Sequence, residues 1–134
     1  MSDHHKETFI TKYIFCQDHK MIAKQFLITG IFMAVVGMLM SAIFRVQLAN
    51  PGESSLLYNL LPGSWVNEMG ALNPDKYLAL VTMHGTILVF WVLTAGLSGT
   101  FANFLIPLQI GARDMASGFL NMLSYWFFFA ATVV

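Results

Sequence analysis

Apolar and polar positions divide this chain into long blocks. They do not alternate in the short periods of a soluble domain. The first apolar block, "FLITGIFMAVVGMLMSAIF" from Phe26 to Phe44, is uncharged and bracketed by Lys24 and Arg45. Its length matches the roughly 20 residues a helix needs to cross a bilayer. Within it Gly30, Ala34, Gly37 and Ser41 recur at three- and four-residue spacing. That stripe predicts a face where a second helix packs closely. The second block is free of formal charge from Tyr77 to Ala112. Pro107 lacks an N–H and crowds the preceding turn, which predicts an end or a kink there. A helix from Tyr77 to about Phe104 would be about 42 Å long and would have to tilt or protrude. The third block starts near Phe119 and is still apolar at Val134. That is about 24 Å of helix, short of the roughly 30 Å hydrocarbon core. It reads as a truncated span in a piece of a larger protein.

Composition supports a membrane class. Hydrophobic residues make up 57% of the chain and charged residues 10%, against about 25% charged in soluble domains. The formal net charge is zero, which excludes the basic excess of a nucleic-acid binder. Cys16 is the single cysteine, so no internal disulfide is possible. The polar start "MSDHHKETF" is not a signal peptide. Lys6, Lys12, Lys20, Lys24 and Arg113 lie on one side of the spans, and Arg45 and Lys76 on the other. The basic excess predicts a cytoplasmic N-terminus. The expected organisation is a cytoplasmic segment over 1–25, spans over 26–45, 77–106 and 119–134, an outer loop over 46–76 and a cytoplasmic loop over 107–118. The fold class is an all-α transmembrane helix bundle. Turn signals in the outer loop are "NPGESS", "LPGSW" and "LNPDK".

One position stands out chemically. His84 lies in the apolar stretch "VTMHGTILVFWVL", about 10 Å into the second helix by its rise per residue. An imidazole there is costly unless it is hydrogen bonded or ligated. It joins helices by a hydrogen bond, or it holds a metal or heme iron through its ring lone pair. Gly85 beside it removes a side chain where a flat macrocycle would press.

The motifs "VTMHGTILVFW", "NFLIPLQIGARDM", "DHKMIAKQFL", "FRVQLANPG" and "LNMLSYWFFF" resemble subunit I of the heme–copper oxidases, the cytochrome c oxidase family. The likeness covers nearly the whole chain from Asp18. It implies an N-terminal fragment, the first three helices, of a roughly twelve-helix subunit. The enzyme would reduce dioxygen to water with electrons from cytochrome c, coupled to proton translocation. By the same resemblance His84 is an axial ligand of a low-spin heme, heme a in most relatives. Arg45 matches the arginine that hydrogen-bonds the heme formyl group. Asp114 matches the mouth of a proton pathway whose narrow part Asn103 and Asn121 line, and Ser124 joins these polar groups at the same bilayer face. A high-spin heme and copper are expected on later helices, so no catalytic residue is expected in this fragment. Implied partners are a copper-bearing subunit II, a subunit III, cytochrome c or another respiratory donor, a respiratory supercomplex and membrane lipid.

Two departures from the family pattern bear on these expectations. Ser117, Gly118 and Phe119 stand where many relatives have Phe-Pro-Arg, at the proton-entry loop. Gln47 stands where several have a glutamate in an outer cation site, so no ion is expected there. His4, His5, His19 and Cys16 read as parts of a solvated cytoplasmic-side segment. A quinol oxidase of the same family would share the motifs. On the residues alone, a heme-free scaffold or transporter piece, with His84 only packing helices, is the other reading.

Overall fold

The computed structural model describes residues 13–51, 59, 61–68 and 70–133. Residues 1–12, with His4 and His5 and about half of the expected N-terminal segment, lie outside them, as does most of "NPGESS". Among the described residues three apolar helices form: α1 His19–Ala49, α2 Pro74–Ile110 and α3 Gly118–Val133. Among the described residues no strand forms; one isolated bridge joins Val66 to Leu72. The first two helices are long and apolar enough to cross a membrane, and α3 is shorter. The chain is an all-α membrane helix bundle.

Helix α1 runs past its apolar block at both ends and α2 at its start, because polar flanks extend a helix beyond the hydrocarbon. Pro74 opens α2 at its first position, where the missing N–H is no loss. Pro107 does not end α2, contrary to the expectation from sequence. The helix continues through this fully buried proline to Ile110. Membrane helices tolerate proline where neighbouring groups take up the freed backbone partner. Gly111 supplies the actual stop, at φ 69°. Its N–H donates to the Leu108 carbonyl at 3.3 Å, and Ala112 N–H to the Pro107 carbonyl at 2.9 Å. That pair is a Schellman motif, and glycine enters its left-handed position without a Cβ clash. Ile87–Leu97 within α2 is π-helical. Ile87, Val89, Val92 and Thr94 supply β-branched side chains that crowd an α-helical turn. The rise of 1.5 Å per residue does not hold through this stretch.

The chain divides into two compact units. One holds the start of α1, the end of α2 and α3. Its core is Ile22, Phe26, Met122 and Tyr125, flanked by Trp126 and Phe128. Phe26 meets Tyr125 edge-on at 5.2 Å and stacks on Phe128 at 5.3 Å. Lipid competes equally for apolar groups, so close packing rather than water exclusion holds such a core. Each aromatic pair adds about 0.5–1.5 kcal/mol. Thr29 and Tyr125 join their hydroxyls at 3.1 Å.

Two of the small residues read from sequence explain close contacts. A Cβ on Gly30 would lie 3.0 Å from the Cα of Gly96. Backbone cannot yield there as a side chain can. Gly30→Ala is therefore expected to destabilise the subunit by about 1–3 kcal/mol. Gly63→Ala, where an added Cβ meets nothing within 4 Å, is the control. Thermal unfolding of both variants checks this; equal midpoints would remove the packing role of Gly30.

The second unit holds the rest of α1, the loop and the first half of α2. Leu72 and Leu80 are buried against Phe44, Met40, Trp65 and Val66. The turn signals "LPGSW" and "LNPDK" become a 3-10 turn at Gly63–Trp65 and the opening of α2. Gln47 Oε1 accepts the Leu72 N–H at 2.8 Å. The Asn73 amide donates to the Ser64 carbonyl at 3.1 Å. These bonds fasten the loop to the helix ends.

Candidate functional site

His84 is half-buried on α2. Its Nδ1 lies 2.7 Å from the Gly37 carbonyl oxygen of α1. A carbonyl only accepts, so the proton sits on Nδ1 and the lone pair on Nε2. Metal-ligating histidines characteristically donate their other N–H in this way, which fixes tautomer and ring orientation. The Phe44 ring packs edge-on against the imidazole at 5.4 Å. Gly37 makes room for this approach: a Cβ there would lie 2.9 Å from Leu88 Cδ2. Beside the ligand position, a Cβ on Gly85 would meet nothing within 4 Å. The residues present thus fit an iron-bound macrocycle: an oriented imidazole, a free lone pair and an open flank. Arg45 is exposed and makes no ion pair with a described residue. It follows Phe44 directly, so it leaves α1 about 100° round from the ring that touches His84.

The other unit carries the polar residues of the second cluster. Asp114 follows the Gly111 stop in the loop before α3. Its Oδ1 accepts the Met115 N–H at 2.8 Å and His19 Nδ1 at 3.0 Å, with the His19 backbone N–H at 3.3 Å. Partial burial pushes the Asp114 carboxyl up. The Met115 and His19 hydrogen bonds and the charge of His19 outweigh it and hold the group below the usual carboxylate value. Asp18, His19 and Asp114 each offer a ligand atom within 4.8 Å of the others. The neighbouring Arg113 makes no ion pair with Asp114.

Asn103 is buried on α2, and its Nδ2 donates to the Gly99 carbonyl at 2.6 Å. Its Oδ1 has no partner, and neither has the buried Nδ2 of Asn121 on α3. An orphan acceptor and an orphan donor are costly unless water completes them. Ser124 is exposed and spends its hydroxyl on the Asn121 carbonyl of its own helix, at 2.7 Å.

His19 corrects the sequence reading. It is not solvated but 3% exposed, and its Nε2 is buried without a partner. The buried positions His19, Ile22, Ala23, Phe26, Thr29 and Gly30 follow three- and four-residue spacing along α1. That period places His19 on the packed stripe, about two turns before the apolar block begins. It was the signal available in the sequence.

Residues 21–134 match the family described as Cytochrome C and Quinol oxidase polypeptide I. The chain belongs to this family, subunit I of the heme–copper oxidases. It is 38% identical over 131 residues to an alternative cytochrome c oxidase subunit 1 of Bradyrhizobium diazoefficiens, covering 98% of this chain and 20% of that protein. It is 30% identical over 141 residues to cytochrome c oxidase subunit 1 of Cereibacter sphaeroides, covering 97% of this chain and 25% of that one. It is also 36% identical to a heme-copper oxidase subunit I+III of Aeropyrum pernix, over 94% of this chain and 13% of that protein. The chain thus spans a quarter or less of these relatives. The subunit I family is one of respiratory, membrane-embedded oxidoreductases. It implies heme and copper in the assembly.

Proposed function

We propose that this chain is the N-terminal part of the catalytic subunit of a terminal oxidase that reduces dioxygen to water. Electrons come from cytochrome c, and turnover translocates protons. The observation that carries the reading is the His84 ring, protonated at Nδ1 against the Gly37 carbonyl with Nε2 left to ligate. A low-spin heme bound there, heme a, would supply one-electron carriage. His84 would hold the iron through Nε2, its ring oriented by the hydrogen bond to Gly37. Phe44 keeps water from that face of the imidazole. The copper-bearing subunit II, subunit III and cytochrome c are the partners, within a respiratory supercomplex in the bacterial inner membrane. The N-terminus lies in the cytoplasm, in accord with the basic excess there. A reduced-minus-oxidised visible spectrum of the purified complex tests this. A band in the heme a region is expected, and a complex without heme absorption overturns the reading.

The family name covers quinol oxidases as well as cytochrome c oxidases. Copper analysis of the purified complex separates the two, because only the cytochrome c oxidase carries a subunit II copper centre.

Arg45 would lie at the heme edge and donate to a formyl oxygen. Its positive charge stabilises the electron-rich reduced state. Arg45→Met is expected to lower the midpoint potential of that heme and shift its band. A redox titration that overlays the parent leaves Arg45 as a helix-end cation only.

The Asp114 cluster forms the entrance of the proton path. Its carboxylate collects protons at the surface. The unpaired Asn103 Oδ1 and Asn121 Nδ2 take ordered water along the path. Ser124, turned to its own helix, contributes at the exposed edge of the path.

A further inference from the structure

Lys20 and Lys24 stand one turn apart at the start of α1, both exposed. Like charges at that spacing repel. The acids nearby do not relieve them. Asp18 accepts the Lys20 backbone N–H at 3.2 Å and lies 3.4 Å from His19, and Asp114 is taken by His19 and Met115. Among the described residues, neither ammonium has an ion-pair partner. An anion from outside the chain would satisfy both.

Beside Lys24 lies a groove of about 200 Å³ between α1 and α2. Ala23, Lys24 and Leu27 form one wall, and Thr100, Phe101 and Phe104 the other. It runs alongside the seam where Phe26 fills the notch left by Gly99. The Thr100 hydroxyl is already spent on the Gly96 carbonyl. Apart from the Lys24 ammonium, the side chains therefore offer methyl, methylene and ring surface. Pockets for whole drug-sized ligands hold about 300–1,000 Å³. This one suits a segment of a flexible hydrocarbon chain.

We propose that this groove binds an anionic phospholipid of the leaflet on the α1-start side. The phosphate sits against Lys20 and Lys24, and an acyl chain lies along Leu27, Phe101 and Phe104. Charge decides the occupant. A further apolar helix would leave both cations uncompensated at the membrane edge, and a zwitterionic lipid brings its own cation. Basic pockets between membrane helices select anionic headgroups for this reason. The inference needs α1 and α2 to lie in a bilayer. It does not depend on the heme or proton readings.

The test uses the complete oxidase complex, stripped of lipid in detergent and titrated with phosphatidylglycerol. Bound lipid is counted by native mass spectrometry. Phosphatidylcholine of the same chains and inorganic phosphate serve as comparison probes. The parent and Lys24→Arg are expected to retain one phosphatidylglycerol more than Lys24→Leu does. Affinity at that site should fall about fivefold, equivalent to about 1 kcal/mol per surface lysine. Adding Lys20→Leu should lower it by a similar factor again. The subunit mass of the complex in the same native spectra, unchanged in all variants, confirms assembly. Equal retention by the parent and Lys24→Leu overturns the proposal. So does phosphatidylcholine bound as tightly as phosphatidylglycerol by the parent, a comparison that needs no variant. Displacement of the lipid by equimolar inorganic phosphate would reduce the site to an anion site without a hydrocarbon groove, and also overturns it. Cross-linking from Lys24 to polypeptide instead of lipid would show a protein occupant and end the proposal.

Discussion

His84→Ala is expected to erase the low-spin heme band of the reduced oxidase while metals held by other helices stay bound. Alanine removes the only imidazole on α2 and leaves the Gly37 carbonyl without its 2.7 Å donor. Loss of ligation carries the large effect, because the iron then lacks one axial partner. The lost bond to Gly37 adds about 1–3 kcal/mol of unsatisfied backbone. Fold damage and ligand loss separate experimentally. His84→Gln keeps a polar group able to donate toward Gly37 but brings no imidazole to the iron, so it too should lack the band while the subunit assembles. A parental low-spin spectrum in either variant would falsify the ligand role and return His84 to helix packing.

The second large effect is expected at Asp114. Asp114→Asn keeps the shape and can still accept the Met115 N–H, but it loses the charge. Turnover should fall at least about tenfold, equivalent to about 1.4 kcal/mol in the limiting barrier. Proton uptake from the α1-start side should fall with it, and the heme bands should stay in place. Oxygen consumption and proton movement in reconstituted vesicles measure both, and parental values for the two would leave Asp114 as a structural clamp. The sign of its shift matters here. The hydrogen bonds from Met115 and His19 hold the group below its ordinary value. The clamp on His19 is therefore fully present at neutral pH and is lost only as pH falls through that lowered value.

The helix class and the two long apolar helices were legible because bilayer thickness writes itself as block length. The close approach at Gly30 and Gly37 was legible because absence of a side chain is a sequence property. The stop of α2 was misread at Pro107, since proline is a stronger breaker in water than at a packed helix end. Gly111 four residues on carried the true signal. The π-helical stretch was not read from sequence, because its β-branched residues are common in apolar helices of every kind. His84 was legible as a chemical anomaly, but its acceptor was not, because a backbone oxygen has no letter in the sequence. His19 was passed over with its polar neighbours, though its helical period with Ile22 and Phe26 placed it inside. Asn103 and Asn121 were legible only through the family resemblance, since the two orphan atoms that support the proposed water path have no letter in the sequence.

The oxygen that orients His84 has a hereditary consequence. Every amino acid carries a main-chain carbonyl, so no codon change at position 37 can delete this acceptor. Mutation there is filtered by bulk alone, through the Leu88 methyl that an added carbon would meet at 2.9 Å. The imidazole tautomer is inherited with the course of the helix and not with any single letter. Variants that lose it must do so by moving α1, and they should surface in a genetic screen as assembly defects before they appear as altered chemistry.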